Sequence, residues 1–309
     1  MFSVDENQEI SSSLSQLNPT RAIAAFVSGM RVIARTISAL RDPRWYQVFV
    51  LSLLLCFGVF VLDFGIHWQN AIAIFAAAQL AQYAGARFVA RVSYDPLSAL
   101  ITSFSLTLLL RTDLIILAML AAIIAIGSKF LIRVRGKHVF NPANAALVSM
   151  MLLSDSAWVS SGQWGSATVG ALALACLGML VLTKARRAET TIAFLSAYGL
   201  LLAGRAIWLG DPLSIPLHQL QNGALLIFAF FMISDPKTTP DSSLGRVLFG
   251  TLVASIAYAI QFMAYQPNGP ILALIISAPL VPLIDIVSRG HNYRWEQPMA
   301  DASRQIKGV

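Results

Sequence analysis

Residues 136–144, GKHVFNPAN, put a lysine, a histidine and two asparagines directly in front of an apolar run. Pro142 suits the first turn of a helix, because the N–H it lacks would have no partner there. Asparagine is a favoured residue just before that turn. A helix starting here aims its backbone N–H groups and its positive end at whatever lies ahead. The chemistry predicted for Lys137, Asn141 and Asn144 is therefore the holding of an anionic group or a cofactor phosphate. The competing reading is a loop that ends among lipid headgroups. A second polar stretch, DPKTTP at 235–240, sits between two apolar runs. Its prolines stop the preceding helix, Asp235 can accept backbone N–H groups, and Thr238 adds a hydroxyl.

Other chemistries lack their residues. His67, His138, His218 and His291 form no helical i, i+4 ligand pair, which argues against a metal site. No nucleophile elbow, phosphate-binding P-loop or dinucleotide-type glycine pattern is present, so nothing argues for soluble catalysis. Cys56 and Cys176 lie in apolar runs and read as small buried hydrophobes. Asp63, Arg205 and Asp285 are ionisable groups near the ends of apolar runs, where each could snorkel or pair locally, and they form no continuous row that would mark an ion path. Gln79, Gln82 and Tyr83 could line a cavity or bond neighbouring helices.

The elements that position these residues follow from composition. The 309-residue chain is 57% hydrophobic and 12% charged, with a mean hydropathy of +0.68. Soluble domains carry about 25% charged residues, and no globule of this size could hide so much apolar surface. The partner that solvates the chain is the lipid bilayer. Ten apolar segments are predicted, at 45–66, 70–90, 96–110, 113–132, 142–153, 166–183, 190–209, 217–233, 245–263 and 270–288. The third and fifth are shorter than the roughly 20 residues a straight span needs, and such pieces mark broken helices and binding sites.

With the N-terminus in the cytoplasm, all of the 22 lysines and arginines except Arg111 and Arg205 fall on cytoplasmic segments. That bias supports ten crossings with both ends inside. The basic pI near 9.7 then reports topology rather than nucleic-acid binding. Residues 1–20 read as a disordered polar tail without signal-peptide features. Residues 21–44 read as a basic amphipathic helix in the interface, 45–290 as the membrane domain, and 291–309 as a cytoplasmic tail. The tetrapeptide DPLS recurs at 95–98 and 211–214, and FNPAN at 140–144 aligns with YQPNGP at 265–270. Both pairs lie five spans apart on opposite sides. The predicted fold is all-α and polytopic, with inverted five-helix repeats at about 45–155 and 165–290.

These motifs resemble the NqrB/RnfD family, the ten-span subunits of Na⁺-translocating NADH:quinone oxidoreductases and Rnf electron-transport complexes. GKHVFNPANAALV is similar to a characteristic family segment. Phe231, Met232, Asp235, Pro236, Thr238, Pro240, Gly245 and Arg246 match another, and YDPLSALITSFSLTLLL resembles a third. The resemblance runs over about residues 90–290. It implies FMN joined through a phosphoester to a threonine on the outer side, with a second, non-covalent flavin as a further expectation. The family pattern D-G-x-[ST]-[SG]-A-T aligns with 162–168, where Ser166, Ala167 and Thr168 fit. The leading Asp is absent, Gln163 stands for Gly, and Gly165 stands for Ser or Thr. Thr168 is thus the covalent candidate, with Trp164 available for stacking, although an interfacial anchor also suits it. Asn141, Asn144, Lys137, Asp235 and Thr238 are the remaining cofactor-binding candidates.

The resemblance further implies an electron-transfer subunit in a bacterial inner membrane, partnered by other membrane and flavin subunits and by quinone. A channel or permease with an inverted repeat is the alternative reading. So is a stand-alone family branch of the kind associated with enediyne biosynthesis, without covalent flavin.

Overall fold

Apolar runs poor in charge give helices here, and the polar loops between them decide where those helices end. The structure, a computed structural model, describes residues 42–60, 63–159 and 188–290. The expected tail at 1–20, nearly all of the interfacial helix at 21–44, the sixth apolar segment and residues 291–309 lie outside the described residues.

In chain order the helices are α1 (Pro43–Phe60), α2 (Trp68–Ala84), α3 (Pro96–Leu109), α4 (Ile115–Leu131), α5 (Pro142–Leu153) and α6 (Ala188–Leu209). They continue with α7 (Ser214–Leu220), α8 (Gly223–Ile227), α9 (Ser243–Phe262), α10 (Gly269–Ser277) and α11 (Val281–Val287). A π-helical turn, Gly85–Ala90, extends α2, a second, Phe228–Met232, extends α8, and a 3-10 turn joins α10 to α11. Among the described residues, four helical stretches are long and apolar enough to cross a membrane: 68–90, 188–209, 243–262 and 269–287. Four shorter apolar helices stand beside them, and α7 with α8 forms a span-length pair bent by 50°.

The predicted all-α architecture needs one correction. Leu110–Thr112 (β1) pairs antiparallel with Ala157–Val159 (β4), and Arg133–Val134 (β2) pairs with Lys137–His138 (β3). The first ribbon explains the two short helices. α3 runs straight into β1, and α5 is followed by β4, so the backbone groups released at both helix ends bond each other instead of facing lipid. The sharp break falls in the eighth apolar segment, between α7 and α8. There Asn222 caps the new helix by accepting the backbone N–H groups of Ala224 and Leu225.

Packing follows the small residues. α2 lies against α3 and α4, α4 against α5, α6 against α9, α9 against α10, and α5 touches α10. At the α6–α9 contact a Cβ on Gly250 would come 2.6 Å from the carbonyl oxygen of Thr190 and 3.0 Å from Ala193 Cβ. The buried hydroxyls of α3 are satisfied inside their own helix, with Thr102, Ser103, Ser105 and Thr107 each donating to the carbonyl four residues back. Thr191 donates to the carbonyl of Ala229 at 2.5 Å, tying the π-helical turn to α6. Cys56 is exposed rather than buried. Its apolar run faces outward with Phe49, Leu53, Phe57 and Phe60, where lipid takes the place of a protein core.

The polar residues of the second apolar segment bond neighbouring helices. Lys129 lies inside α4, not in a loop, and donates to Gln82 on α2 and at 2.9 Å to Ser98 on α3. Gln79 donates to the Pro96 carbonyl and accepts from Tyr94.

Replacing Gly250 by alanine is expected to destabilise the detergent-solubilised protein by about 1–3 kcal/mol through overpacking. Gly127→Ala, whose methyl would meet nothing within 4 Å, should leave the thermal midpoint unchanged or raise it. Equal midpoints for the two variants would refute the close α6–α9 approach.

Candidate functional site

The two polar stretches singled out in the sequence meet at one end of the helices. β2 and β3 are joined by a two-residue turn, Arg135-Gly136, with φ of 52° and 82°. Positive φ at both central residues is the tight hairpin geometry that Gly and Asn favour. The hairpin delivers Lys137 and His138 to the start of α5. There Asn141 caps the helix, its side-chain oxygen accepting the Asn144 N–H at 3.1 Å, and Pro142 takes the first helical position. Across from it, the chain leaving Met232 turns at Asp235. Its carboxylate accepts the Lys237 N–H at 3.0 Å, and its carbonyl accepts the hydroxyls of Thr238 and Thr239 at 3.3 and 3.1 Å.

The loops then lock together. Asn141 Nδ2 donates to Asp235 Oδ2 at 3.3 Å and to the Met232 carbonyl at 3.4 Å. His138 Nε2 lies 3.6 Å from Asp235 Oδ2. Lys137 Nζ sits between two carboxylates, 2.6 Å from Asp241 and 3.1 Å from Asp285. Asp285, on α11, also accepts the Asp241 backbone N–H at 2.8 Å. Arg246, in the first turn of α9, donates to the Asp241 carbonyl at 2.7 Å and to Glu189 at 3.0 Å. Ser242 caps α9 and shares a 2.7 Å hydrogen bond with Ser288. The starts of α5, α6 and α9 and the end of α11 are thus tied by one polar network.

Burial pushes the Asp235 carboxyl up, but the His138 hydrogen bond and charge, with the Lys237 N–H, outweigh it. The net result lies below the ordinary carboxylate range.

A cavity of about 390 Å³ opens beside this network, lined by Arg135, Lys137, Lys237, Asp241, Asp285 and Arg289 among others. At the opposite end of the helices a smaller space of about 160 Å³ lies among Val159, Tyr198, Asn222, Phe228, Gln261 and Asn268.

Of the nine candidate site residues, Lys137, Asn141, Asp235 and Thr238 come together in the network. Asn144 adjoins it, 1% exposed, and its side-chain amide has no hydrogen-bond partner among the described residues. Trp164, Ser166, Ala167 and Thr168 lie outside the described residues. Within the network the polar atoms of Lys137, Asn141 and Asp235 are engaged with one another's loops. Sequence reasoning missed Asp241 altogether and assigned Asp285 only local pairing. The one available signal was that Asp235 and Asp241 bracket a turn rich in proline and threonine. Arg205 does pair locally, 3.8 Å from Asp211 and over the ring of Phe262, while Asp63 is exposed in a left-handed conformation.

The stacked apolar helices and buried polar caps define a multi-pass membrane protein. Residues 158–294 match the model of the NQR2, RnfD, RnfE family, to which the motifs are also similar. Among its relatives are proteins named as the D subunit of an ion-translocating oxidoreductase complex, from Escherichia coli O1:K1, Escherichia coli O45:K1 and Citrobacter koseri. Each is 28% identical over 137 residues, which are 44% of this chain and 35% of the relative. The chain therefore spans about a third of the length of these relatives. The matched stretch includes both Thr168 and the loop from Asp235 to Arg246, whereas the hairpin and Asn141 precede it.

Lys137→Met should destabilise the protein by about 3–5 kcal/mol, because it leaves two largely buried carboxylates facing each other. Adding Asp285→Asn should recover part of that loss in detergent melts. For Asp235 the folded-state pKa is the lower one, so its contribution is full above the unfolded value of about 3.9. It is lost as pH falls through the folded value. Asp235→Asn should accordingly flatten the acid side of a melting-temperature profile, and an unchanged acid slope would sink the assignment.

Proposed function

We propose that the chain is a membrane electron-transfer subunit of an Rnf- or Nqr-type complex, with FMN held at the outer membrane face through Thr168. The observation that carries this reading is the family match over 158–294, which takes in the Ser166-Ala167-Thr168 triplet and the Asp235–Arg246 loop together. The cofactor supplies one- and two-electron transfer. The chain's own task is to position it, to tune its surroundings and to exclude water. Thr168 provides the hydroxyl oxygen of the phosphoester. Val159 of the smaller cavity lies nine residues before Thr168, and α10 begins beside that cavity. Both features support a cofactor at this end. The polar network of Lys137, Asn141, Asp235 and Thr238 serves, in this reading, to fix the helices from the other end.

The reading includes ten crossings arranged as two inverted five-helix repeats, with both termini in the cytoplasm of a bacterial inner membrane. The packing supports it. α2 lies on α4 as α6 lies on α9, and α4 lies on α5 as α9 lies on α10. α5 and α10 meet where a two-fold axis in the membrane plane would relate them. Electrons would pass between flavin-bearing partner subunits and a second carrier or quinone, and coupling to ion movement is part of the same proposal.

Co-expression with a flavin transferase, followed by a denaturing gel viewed under ultraviolet light, tests the central step. A fluorescent band in the wild type that disappears in Thr168→Val is expected. A dark wild-type band, with no flavin in the native extract, overturns the proposal and leaves the permease reading. That reading predicts flux of a small neutral solute into proteoliposomes.

A further inference from the structure

We infer that the cavity beside the Lys137 network is a binding site for the phosphate of an anionic phospholipid. This inference does not depend on the flavin reading. The lining divides into two halves. On the polar half, four cations, Arg135, Lys137, Lys237 and Arg289, face two carboxylates, Asp241 and Asp285. Lys137 engages both carboxylates at 2.6 and 3.1 Å and offsets one of their two charges; Arg135 and Arg289 outweigh the other, so the field at the mouth is positive. On the apolar half stand Val134, Val139, Ala278, Val281, Pro282 and Ile286. A free inorganic anion would have no use for that half, whereas an anionic headgroup with the first methylenes of its chains matches both. The volume, about 390 Å³, lies in the range of small-molecule sites, roughly 300–1,000 Å³.

Two further observations point the same way. Val134 and Ile286 line the cavity and are also 41% and 49% exposed. Beside them Leu131, Ile132, Leu283 and Val287 are exposed as well. An apolar track thus runs from the cavity to the outer surface of α4 and α11, as an acyl chain requires. Arg135 supplies the other observation. It holds φ of 52° in a turn position that glycine or asparagine would occupy with less strain. The position keeps a guanidinium at the rim despite that conformational cost. Polybasic clusters at the ends of membrane spans are the usual receptors for anionic lipid headgroups.

The test uses the full chain purified in a neutral detergent and native mass spectrometry with added phosphatidylglycerol or phosphatidylcholine. One phosphatidylglycerol should be retained at collision energies that strip phosphatidylcholine of the same chains. The variant Arg135→Asn/Arg289→Gln removes two charges while asparagine preserves the left-handed turn. It should weaken retention roughly 25-fold, about five-fold for each charge near the surface, with an unchanged thermal midpoint. Arg135→Lys should retain the lipid. Equal retention of the two lipids, or unaltered retention in the double variant, overturns the inference. Displacement by millimolar inorganic phosphate would assign the anion to solution and overturn the lipid assignment.

Discussion

Lipid offers no hydrogen bonds, and backbone groups released from a helix at membrane depth must find their partners within the protein. That constraint orders the whole structure. Where a helix is too short to reach the interface, something polar has to meet its end. α3 and α5 end in a shared two-stranded ribbon, α8 starts on Asn222, α5 starts on Asn141, and α9 starts on Ser242. The costliest groups to isolate are the charges. Lys137, Asp241 and Asp285 come from three separate elements and are stable there only as a set. A buried charge deprived of its partner costs far more than the pair contributes, so these residues specify which loops adjoin more than they add net stability.

That logic also separates the two ends of the molecule. At the basic end the polar side chains are largely engaged with one another, and the loops from 133–141 and 233–242 behave as a single clasp. At the other end the cavity near Val159 is lined by neutral side chains and by helix starts, with Tyr198 donating to Gln261 across it. One end is thus fixed by ion pairs between loops and the other by neutral caps on helix starts.

The described helices are highly legible in the sequence. Apolar character is uniform around a lipid-solvated helix, so charge and proline alone mark its limits, and the segment expected at 142–153 matches α5 to the residue. The caps are legible too, because Asn141-Pro142 is a local signal acting over three residues. The β ribbons are not. β1 and β4 are three residues each and pair across 47 positions, so neither carries enough alternation to be seen alone. The partners of Lys137 are illegible for a related reason. Asp241 and Asp285 are ordinary loop and helix-end residues by type, and only the fold brings them within 3.1 Å of the ammonium. Cys56 fails in another way, since an apolar neighbourhood in a membrane protein says nothing about which side is protein and which is lipid.

The break between α7 and α8 shows how such a site arises from the constraint itself. Bending a membrane helix by 50° releases N–H and carbonyl groups that a continuous helix would have paired. Asn222 takes up two of the N–H groups, at 2.8 and 3.4 Å. The π-helical turn that follows frees the Ala229 carbonyl, and Thr191 donates to it. Each repair requires a small polar residue on a neighbouring element at one definite height. The helix can therefore bend only where α6 and the chain around 222 present those residues. The space left inside the bend is lined by Asn222, Phe228 and Gln261. The cavity at this end is thus a consequence of where the backbone can be satisfied.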